Sequence, residues 1–326
     1  MNVVRDPYRA AVDLPRGGVV TIGNFDGVHR GHQQMLADVA ERARTLGVPS
    51  VVVTFDPHPL KVLHPERAPE MIQTLRQREE AIEACGIEWI LIVPFTRDFS
   101  LTDPGEFVKE LLVRRLAARE IHVGERFMFG RERGGDLNLL STLARENGIA
   151  VTGLTDVTEG AAAISSSRIR EALQAGDIPR AAALLGRPYA MDGIVAKGDR
   201  MGRKIGIPTI NLKAENELAP RDGVYVGKVF LRSFERTFIC VTNIGRRPTV
   251  YEDYLRTIES HILDFSSDVY GESVRLFFFG RLRDEMTFGS MLELTAQIRR
   301  DIEATRLYFL THPGSCGSAP TAPRAG

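Results

Sequence analysis

The sequence predicts two folds in tandem: an α/β domain on a parallel sheet, then a small β-barrel or sandwich with a closing helix. Three observations carry this. Apolar, β-branched runs alternate with helical patterns about five times over the first half, the mark of a parallel sheet covered on both faces. From Gly186 to Gly280 the pattern changes to closely spaced short strands with glycine and proline turns. A last segment then sets Leu294, Ile298 and Ile302 on one helical face and Arg299, Arg300 and Glu303 on the other.

Taken in order, residues 19–22 (VVTI) form the first expected strand, which ends at Gly23 in a loop carrying Asn24, Phe25, Asp26 and Gly27. Met35, Leu36, Val39, Ala40, Ala43 and Leu46 then recur at helix spacing. Residues 51–55 (VVVTF) read as a strand buried on both faces, stopped by Asp56-Pro57-His58-Pro59. A helix is expected over 74–84, opened by Thr74 and Gln77, and a strand over 89–94 (WILIVP). Asp103, Pro104 and Glu106 open a further helix by cap, proline and acid. Residues 121–124 make a short strand, 139–147 a helix stopped by Gly148, and 149–154 another strand. A helix follows Ser165 to about Gln174, and a helical link at 179–185 leads into the second half. There, strands are expected over 192–197, 223–231, 236–244, 258–265 and 273–279. The boundaries predicted are thus 1–185, 186–312 and a disordered tail over 313–326 (PGSCGSAPTAPRAG).

At 326 residues the chain suits two domains, and 43% apolar with 26% charged residues is an ordinary globular composition. The 42 basic residues equal the 42 acidic ones, which argues against a nucleic-acid partner. Cys85, Cys240 and Cys316 lack metal-ligand spacing and fit reduced thiols in the cytoplasm. No signal-peptide core or membrane-length apolar run is present, so no membrane association is expected. The sequence leaves a homo-oligomer open.

Chemistry concentrates at three places. His29 and His32 lie three apart on a first helical turn, where free N–H groups and the helix dipole favour an anion. Half a metal site and two idle surface histidines are the alternatives, and the glycines and Asp26 in the same turn favour a phosphate site. Ser165, Ser166, Ser167, Arg168 and Arg170 form a second oxyanion candidate, equally explained by a serine N-cap with solvated arginines. Third, Gly198, Gly202 and Gly206 stand four apart before Thr209 and Asn211, whose oxygens face one side of a strand and suit a hard cation. A plain glycine-rich turn accounts for that spacing as well. Arg200, Arg203 and Lys204 lie in the same loop, where phosphate contact and solvation are equally open.

His29-Arg30-Gly31-His32 and the Ser165–Arg170 stretch resemble the nucleotidyltransferase superfamily. With Thr54-Phe55-Asp56-Pro57-His58-Pro59, Gly206-Ile207-Pro208-Thr209-Ile210-Asn211, Asn243-Ile244-Gly245, Glu259-Ser260-His261 and Leu282-Arg283-Asp284-Glu285, the chain resembles bacterial bifunctional riboflavin kinase/FAD synthetases. The resemblance implies a Rossmann-like domain that adenylylates FMN to FAD and releases pyrophosphate. It implies a β-barrel that makes FMN from riboflavin and ATP with Mg2+. In the first, Gly23, Asn24, Phe25, His58, Ser166 and Arg170 would bind ATP, with His29 and His32 catalytic. In the second, Glu259 would be the base, Thr209 and Asn211 the metal ligands, and Gly198, Gly202 and Gly206 the nucleotide loop. Asn243, Arg283 and Glu285 there, and Arg126 in the first domain, would face flavin. Arg126 departs from the family pattern, which carries Asp or Asn at that place, and so replaces an acceptor by a cation. Two alternatives follow: a riboflavin kinase with a weakened first domain, or a non-catalytic flavin-binding protein.

Overall fold

The computed structural model describes residues 1–9, 13–198, 202, 205–247 and 255–313. Arg200, Arg203, Lys204 and the expected tail beyond Pro313 lie outside the described residues. The chain divides into two compact units, Met1–Glu70 with Leu75–Ser165, and Met71–Thr74 with the described residues from Ser166 onward.

The first unit runs β1 (Asn2–Arg5), β2 (Val19–Ile22), α1 (Arg30–Leu46), β3 (Ser50–Asp56), α2 (Pro59–Leu63), α3 (Leu75–Glu83) and β4 (Trp89–Pro94). It continues through α4 (Arg97–Ser100), α5 (Pro104–Phe107), a π-helical stretch Val108–Arg115, β5 (Glu120–Gly124), α6 (Leu137–Arg145) and β6 (Ala150–Leu154). A small hairpin, β7 (Thr158–Glu159) with β8 (Ala162–Ala163), ends it. The sheet has the order β1-β4-β3-β2-β5-β6, and each pairing is parallel.

Alternation along the strands explains why both faces are covered. Val51 and Val53 join Val20, Ile22, Leu91, Ile121 and Val123 on one face, against Phe107, Leu111, Leu112 and Leu140. Val52 joins Val19, Ile90 and Ile92 on the other, against Leu36, Val39 and Ala43 of α1 and Ile82 of α3. The strand β1 was not expected. It is a four-residue edge strand with only Val4 buried, so it has no apolar run to announce it.

The second unit opens with α7 (Ser166–Ala175) and α8 (Ile178–Leu185), which pack with the strands that follow. Those strands are β9 (Tyr189–Ala196), β10 (Ile210–Ala214), β11 (Gly223–Leu231), β12 (Arg236–Arg247), β13 (Leu255–Ile262) and β14 (Ser273–Arg283). They close a barrel in the order β10-β13-β12-β11-β14-β9, so the barrel of the two β expectations is the one realised. Inside lie Tyr189, Tyr225, Cys240, Thr242, Ser260, Leu276 and Phe278, each at most 2% exposed. Across the wall, Arg275 is salt-bridged to Asp192 at 2.5 Å.

The closing helix is α9 (Met291–Thr311). Its deepest residues are Asp301, Thr305 and Phe309, while Leu294, Ile298 and Ile302 are half-buried. Each deep residue stands seven positions on from an expected one, so the stripe read in the sequence is the one that packs, and Asp301 joins it through the charge partner described below. Among the described residues no helix is long and apolar enough to cross a membrane.

Candidate functional site

In the first unit the chain steps from β2 out through β3 to β4, then crosses back to β5 on the other side of β2. Ligands in such sheets gather where the order reverses, beyond the carboxyl ends of the central strands. The loop after β2 occupies that place, and its backbone bends sharply: φ is +50° at Phe25, +85° at Gly27 and +36° at Val28.

His29 is the N-cap of α1, with Nδ1 accepting the His32 N–H at 3.3 Å. In the neutral ring this leaves the proton on Nε2. The His29 and His32 rings stack at 3.7 Å and 16°, and the edge of Phe25 meets His32 at 5.2 Å. A Cβ on Gly31 would stand 3.2 Å from the His29 ring, so the glycine between the histidines makes room for the stack. Gly23 similarly faces the Phe25 ring, 3.1 Å from where its Cβ would be.

The loop after β3 joins this one. His58 caps α2, its Nδ1 accepting the Leu60 N–H at 3.2 Å. Its Nε2 stands 3.2 Å from the Asn24 side-chain amide, which carries both a donor and an acceptor and so can meet either ring state. Asn24, Phe25, His29, His32 and His58 are thus gathered at one end of the sheet, as their positions in the sequence implied. Arg126, in the loop after β5, is paired with Asp156 after β6, and both side chains are about half or more exposed. Val157, next in the chain, would lie 3.8 Å from a Gly31 Cβ, so the pair borders the histidine loop. Ser166 and Arg170 lie on α7 in the second unit, Ser166 opening the helix.

Sequence reasoning missed Arg78. Its side chain is 4% exposed, and burial holds its pKa below the usual guanidinium value. Nη1 donates to the Asn24 carbonyl at 3.0 Å and Nη2 to the Phe55 carbonyl at 3.3 Å, with Asp56 Oδ1 at 3.5 Å. The signal was present, since Arg78 sits between Leu75 and Ile82 on the inward stripe of α3.

In the second unit, strand register makes the arrangement. Asn211 is directly opposite Glu259, Glu259 is opposite Asn243, Asn243 is opposite Val224, and Val224 is opposite Arg283. Four predicted residues from four strands therefore form one transverse row across the wall. Neighbouring positions Tyr225, Thr242 and Ser260 point into the barrel, so alternation puts the row on its outer face.

The row is flanked by tight contacts. Asn243 Nδ2 donates to Glu285 Oε1 at 3.3 Å, and a Cβ on Gly245 would collide with that carboxylate. Arg283 grips the buried Asp301 of α9 through Nη2 at 2.7 Å, and Gln297 Nε2 donates to the same carboxylate at 2.9 Å. At the other end, a Cβ on Gly198 would stand 2.3 Å from Asn211 Nδ2. One on Gly202 would stand 2.3 Å from the Ile207 carbonyl and 3.4 Å from Thr209 Oγ1. Gly206 has φ of +73°. Gly198 thus packs on Asn211 and Gly202 beside Ile207 and Thr209, both glycines being required by close approach.

Magnesium is a hard cation that takes one or two protein oxygens and fills its shell from water and phosphate. The neutral oxygens of Thr209 and Asn211 fit that demand. Among the described residues no cluster of three or more His, Cys, Asp or Glu forms a self-sufficient metal cage.

Comparison with known proteins agrees with this division. The FAD synthetase family model matches residues 12–168 and the riboflavin kinase model residues 185–309. The chain is 37% identical over 314 residues to the bifunctional riboflavin kinase/FMN adenylyltransferase of Escherichia coli K12, covering 96% of this chain and 100% of that one. Identity to proteins of the same name is 38% in Pseudomonas fluorescens (89% and 93% covered) and 35% in Haemophilus influenzae (95% and 99%). A crystal structure described as a macrolide-efflux protein from Streptococcus pneumoniae matches with TM-score 0.84 and 29% identity, covering 94% of this chain and 99% of that one. On relatives that match it nearly end to end, the chain belongs to the family of bifunctional riboflavin kinase/FMN adenylyltransferases.

Proposed function

We propose that the chain converts riboflavin to FMN and then FMN to FAD, using ATP in both steps. The observation that carries the first step is the Asn211–Glu259–Asn243 row beside Gly198 and Thr209. Glu259 takes the proton from the terminal ribityl hydroxyl while that oxygen attacks the γ-phosphorus of ATP. The bond to the β-phosphate oxygen breaks and ADP leaves. Gly198, Gly202 and Gly206 bring backbone close to the phosphates, and Thr209 with Asn211 would hold Mg2+, which neutralises phosphate charge when bound. Asn243, Arg283 and Glu285 continue the row away from the glycine loop, which supports placing the flavin there.

For the second step, an oxygen of the FMN phosphate attacks the α-phosphorus of ATP and pyrophosphate leaves. No side-chain nucleophile is needed, so the task is alignment and charge stabilisation. His29 and His32 do this at the α1 N-terminus, where Nε2–H of His29 and the helix dipole favour the phosphoryl oxygens. Asn24, Phe25, Gly23 and His58 hold the nucleotide in this reading, with Ser166 and Arg170 as further ATP contacts and Arg126 toward the flavin. The functional boundary remains at Gly186, with residues 1–185 serving adenylyl transfer and 186–312 the kinase. Scattered, reduced cysteines support a cytoplasmic setting.

The test is a time course with purified protein, riboflavin and MgATP, with the flavins separated chromatographically. FMN rising first and then passing to FAD is the expected result. Unchanged riboflavin would overturn the kinase reading, and FMN that persists even when supplied directly would overturn the second step.

A further inference from the structure

We infer that Arg78 is the positioning residue of the adenylyl-transfer site, clamping the Asn24 and Phe55 carbonyls so that the loops after β2 and β3 keep Asn24 facing His58. The inference rests on the proposed reading of the first unit as the FMN-adenylylating one.

The guanidinium reaches at once the loop after β2 and the end of strand β3, from which the second loop leaves. Nη1 donates to the carbonyl of Asn24 at 3.0 Å and Nη2 to that of Phe55 at 3.3 Å. Thr54 Oγ1 donates to the same Asn24 carbonyl at 3.3 Å, so this acceptor is pinned from two directions. Three residues beyond Phe55 stands His58, whose Nε2 meets the Asn24 amide at 3.2 Å. The backbone of the first loop needs such support, since Phe25 and Val28 hold positive φ values that residues with side chains seldom adopt.

Stability alone does not account for an arginine here. The side chain is buried between Leu75 and Ile82, and its Nε has no hydrogen-bond partner among the described residues. Burying a cation with an unanswered N–H is unfavourable, and an apolar side chain of similar length would fill the stripe at lower cost. What an apolar residue cannot do is donate to two carbonyls, one in the loop after β2 and one at the end of β3. A lysine retains the charge but lacks the planar fork that spans both. Asp56 at 3.5 Å and the nearby Asp26 keep the cation charged.

The experiment compares Arg78→Met and Arg78→Lys with the wild type in the full chain, measuring FMN adenylylation with ATP varied and riboflavin phosphorylation in the same preparations. Arg78→Met is expected to lower kcat for adenylyl transfer by about 10- to 100-fold and raise its KM for ATP, as misplacement by about 1 Å does. The kinase constants should not move, and Arg78→Lys should recover part of kcat. Adenylylation constants within twofold of wild type in Arg78→Met would overturn the inference, as would an equal fall in both reactions. Hydrogen exchange with and without MgATP adds a readout independent of turnover. ATP should slow exchange at residues 24–28 and 58–60 in the wild type and fail to do so in Arg78→Met. Equal protection in both would overturn the inference even if the wild type formed no FAD, an outcome that by itself counts only against the adenylyltransferase reading. If exchange shows β3 unfolded in Arg78→Met, Arg78→Lys decides: wild-type kinetics there reject the clamp, and a raised KM for ATP on an intact fold supports it.

Discussion

Substituting Gly198 by alanine should separate the two activities. The added Cβ would fall 2.3 Å from Asn211 Nδ2, 2.6 Å from Cγ and 2.8 Å from Oδ1. These distances are about 1 Å short of ordinary contact, and the atoms met are the end of a flexible side chain rather than backbone. Asn211 therefore swings aside at small cost to folding, and the oxygen proposed to hold magnesium leaves its place. A displacement near 1 Å at a reacting centre lowers rates about 100-fold, or about 2.7 kcal/mol of transition-state stabilisation. Riboflavin phosphorylation in Gly198→Ala should thus fall about 100-fold, while FAD formation from supplied FMN and the thermal midpoint stay near wild type. Gly271→Ala, also in the second unit but outside the proposed site, is the control. Nothing lies within 4 Å of its Cβ position, and its φ of +80° imposes only backbone strain. That strain is about 1 kcal/mol, so kinase kcat should hold within about threefold. Kinase activity in Gly198→Ala within threefold of wild type, or equal losses in the two glycine variants, would refute the role given to Asn211.

Asp301→Asn removes the carboxylate that Arg283 and Gln297 grip, leaving a largely buried guanidinium poorly matched. Because Arg283 keeps 19% of its exposure, the expected loss is about 2 kcal/mol rather than the larger cost of a fully buried broken pair. The KM for riboflavin should rise with it, and an unchanged KM together with an unchanged urea midpoint would count against the pair. Glu120 is held down to about 2, first by its hydrogen bond from Arg42 and also by His122. A depressed carboxylate stabilises the fold above its unfolded value near 4.5 and loses that contribution as pH falls toward 2. The stability gap between wild type and Glu120→Gln, from urea melts, should therefore be full at pH 6 and shrink steadily below pH 4.5. A gap that ignores pH would reject the assignment. Arg126→Asp sets two carboxylates together at the edge of the histidine loop and should lower FAD formation, with Asp156→Arg added to it restoring activity. A sharp rise in FAD from Arg126→Asp alone would instead favour the kinase with a weakened first domain.

What was legible in the sequence was whatever depends on near neighbours. The runs at 51–55 and 89–94 announce strands buried on both sides because alternate residues such as Val51 and Val52 enter different cores. The histidine turn could be read because His29 caps the helix that also carries His32. The transverse row could not. Asn211, Glu259 and Asn243 meet only because three strands pair in one register, and no local pattern encodes that alignment. Asp301 was hidden for a related reason. An acid on a helix reads as solvent-facing until Arg283, on a strand, is known to lie beneath it.

The two sites are therefore anchored by different physics, and they should respond differently to change. In the first unit the proposed residues sit on the loops after β2 and β3 and the start of α1, and precision must come from groups that tie these segments together, such as the Arg78 guanidinium and the Asn24–His58 contact. In the second the proposed residues Asn211, Glu259 and Asn243 sit on the strands themselves, where backbone pairing fixes their spacing before any side chain contributes. A single side-chain change can loosen the first site while its sheet stays intact. The barrel row keeps its spacing under such changes and fails chiefly through residues packed directly on it, Gly198 at one end and the Arg283–Asp301 pair at the other.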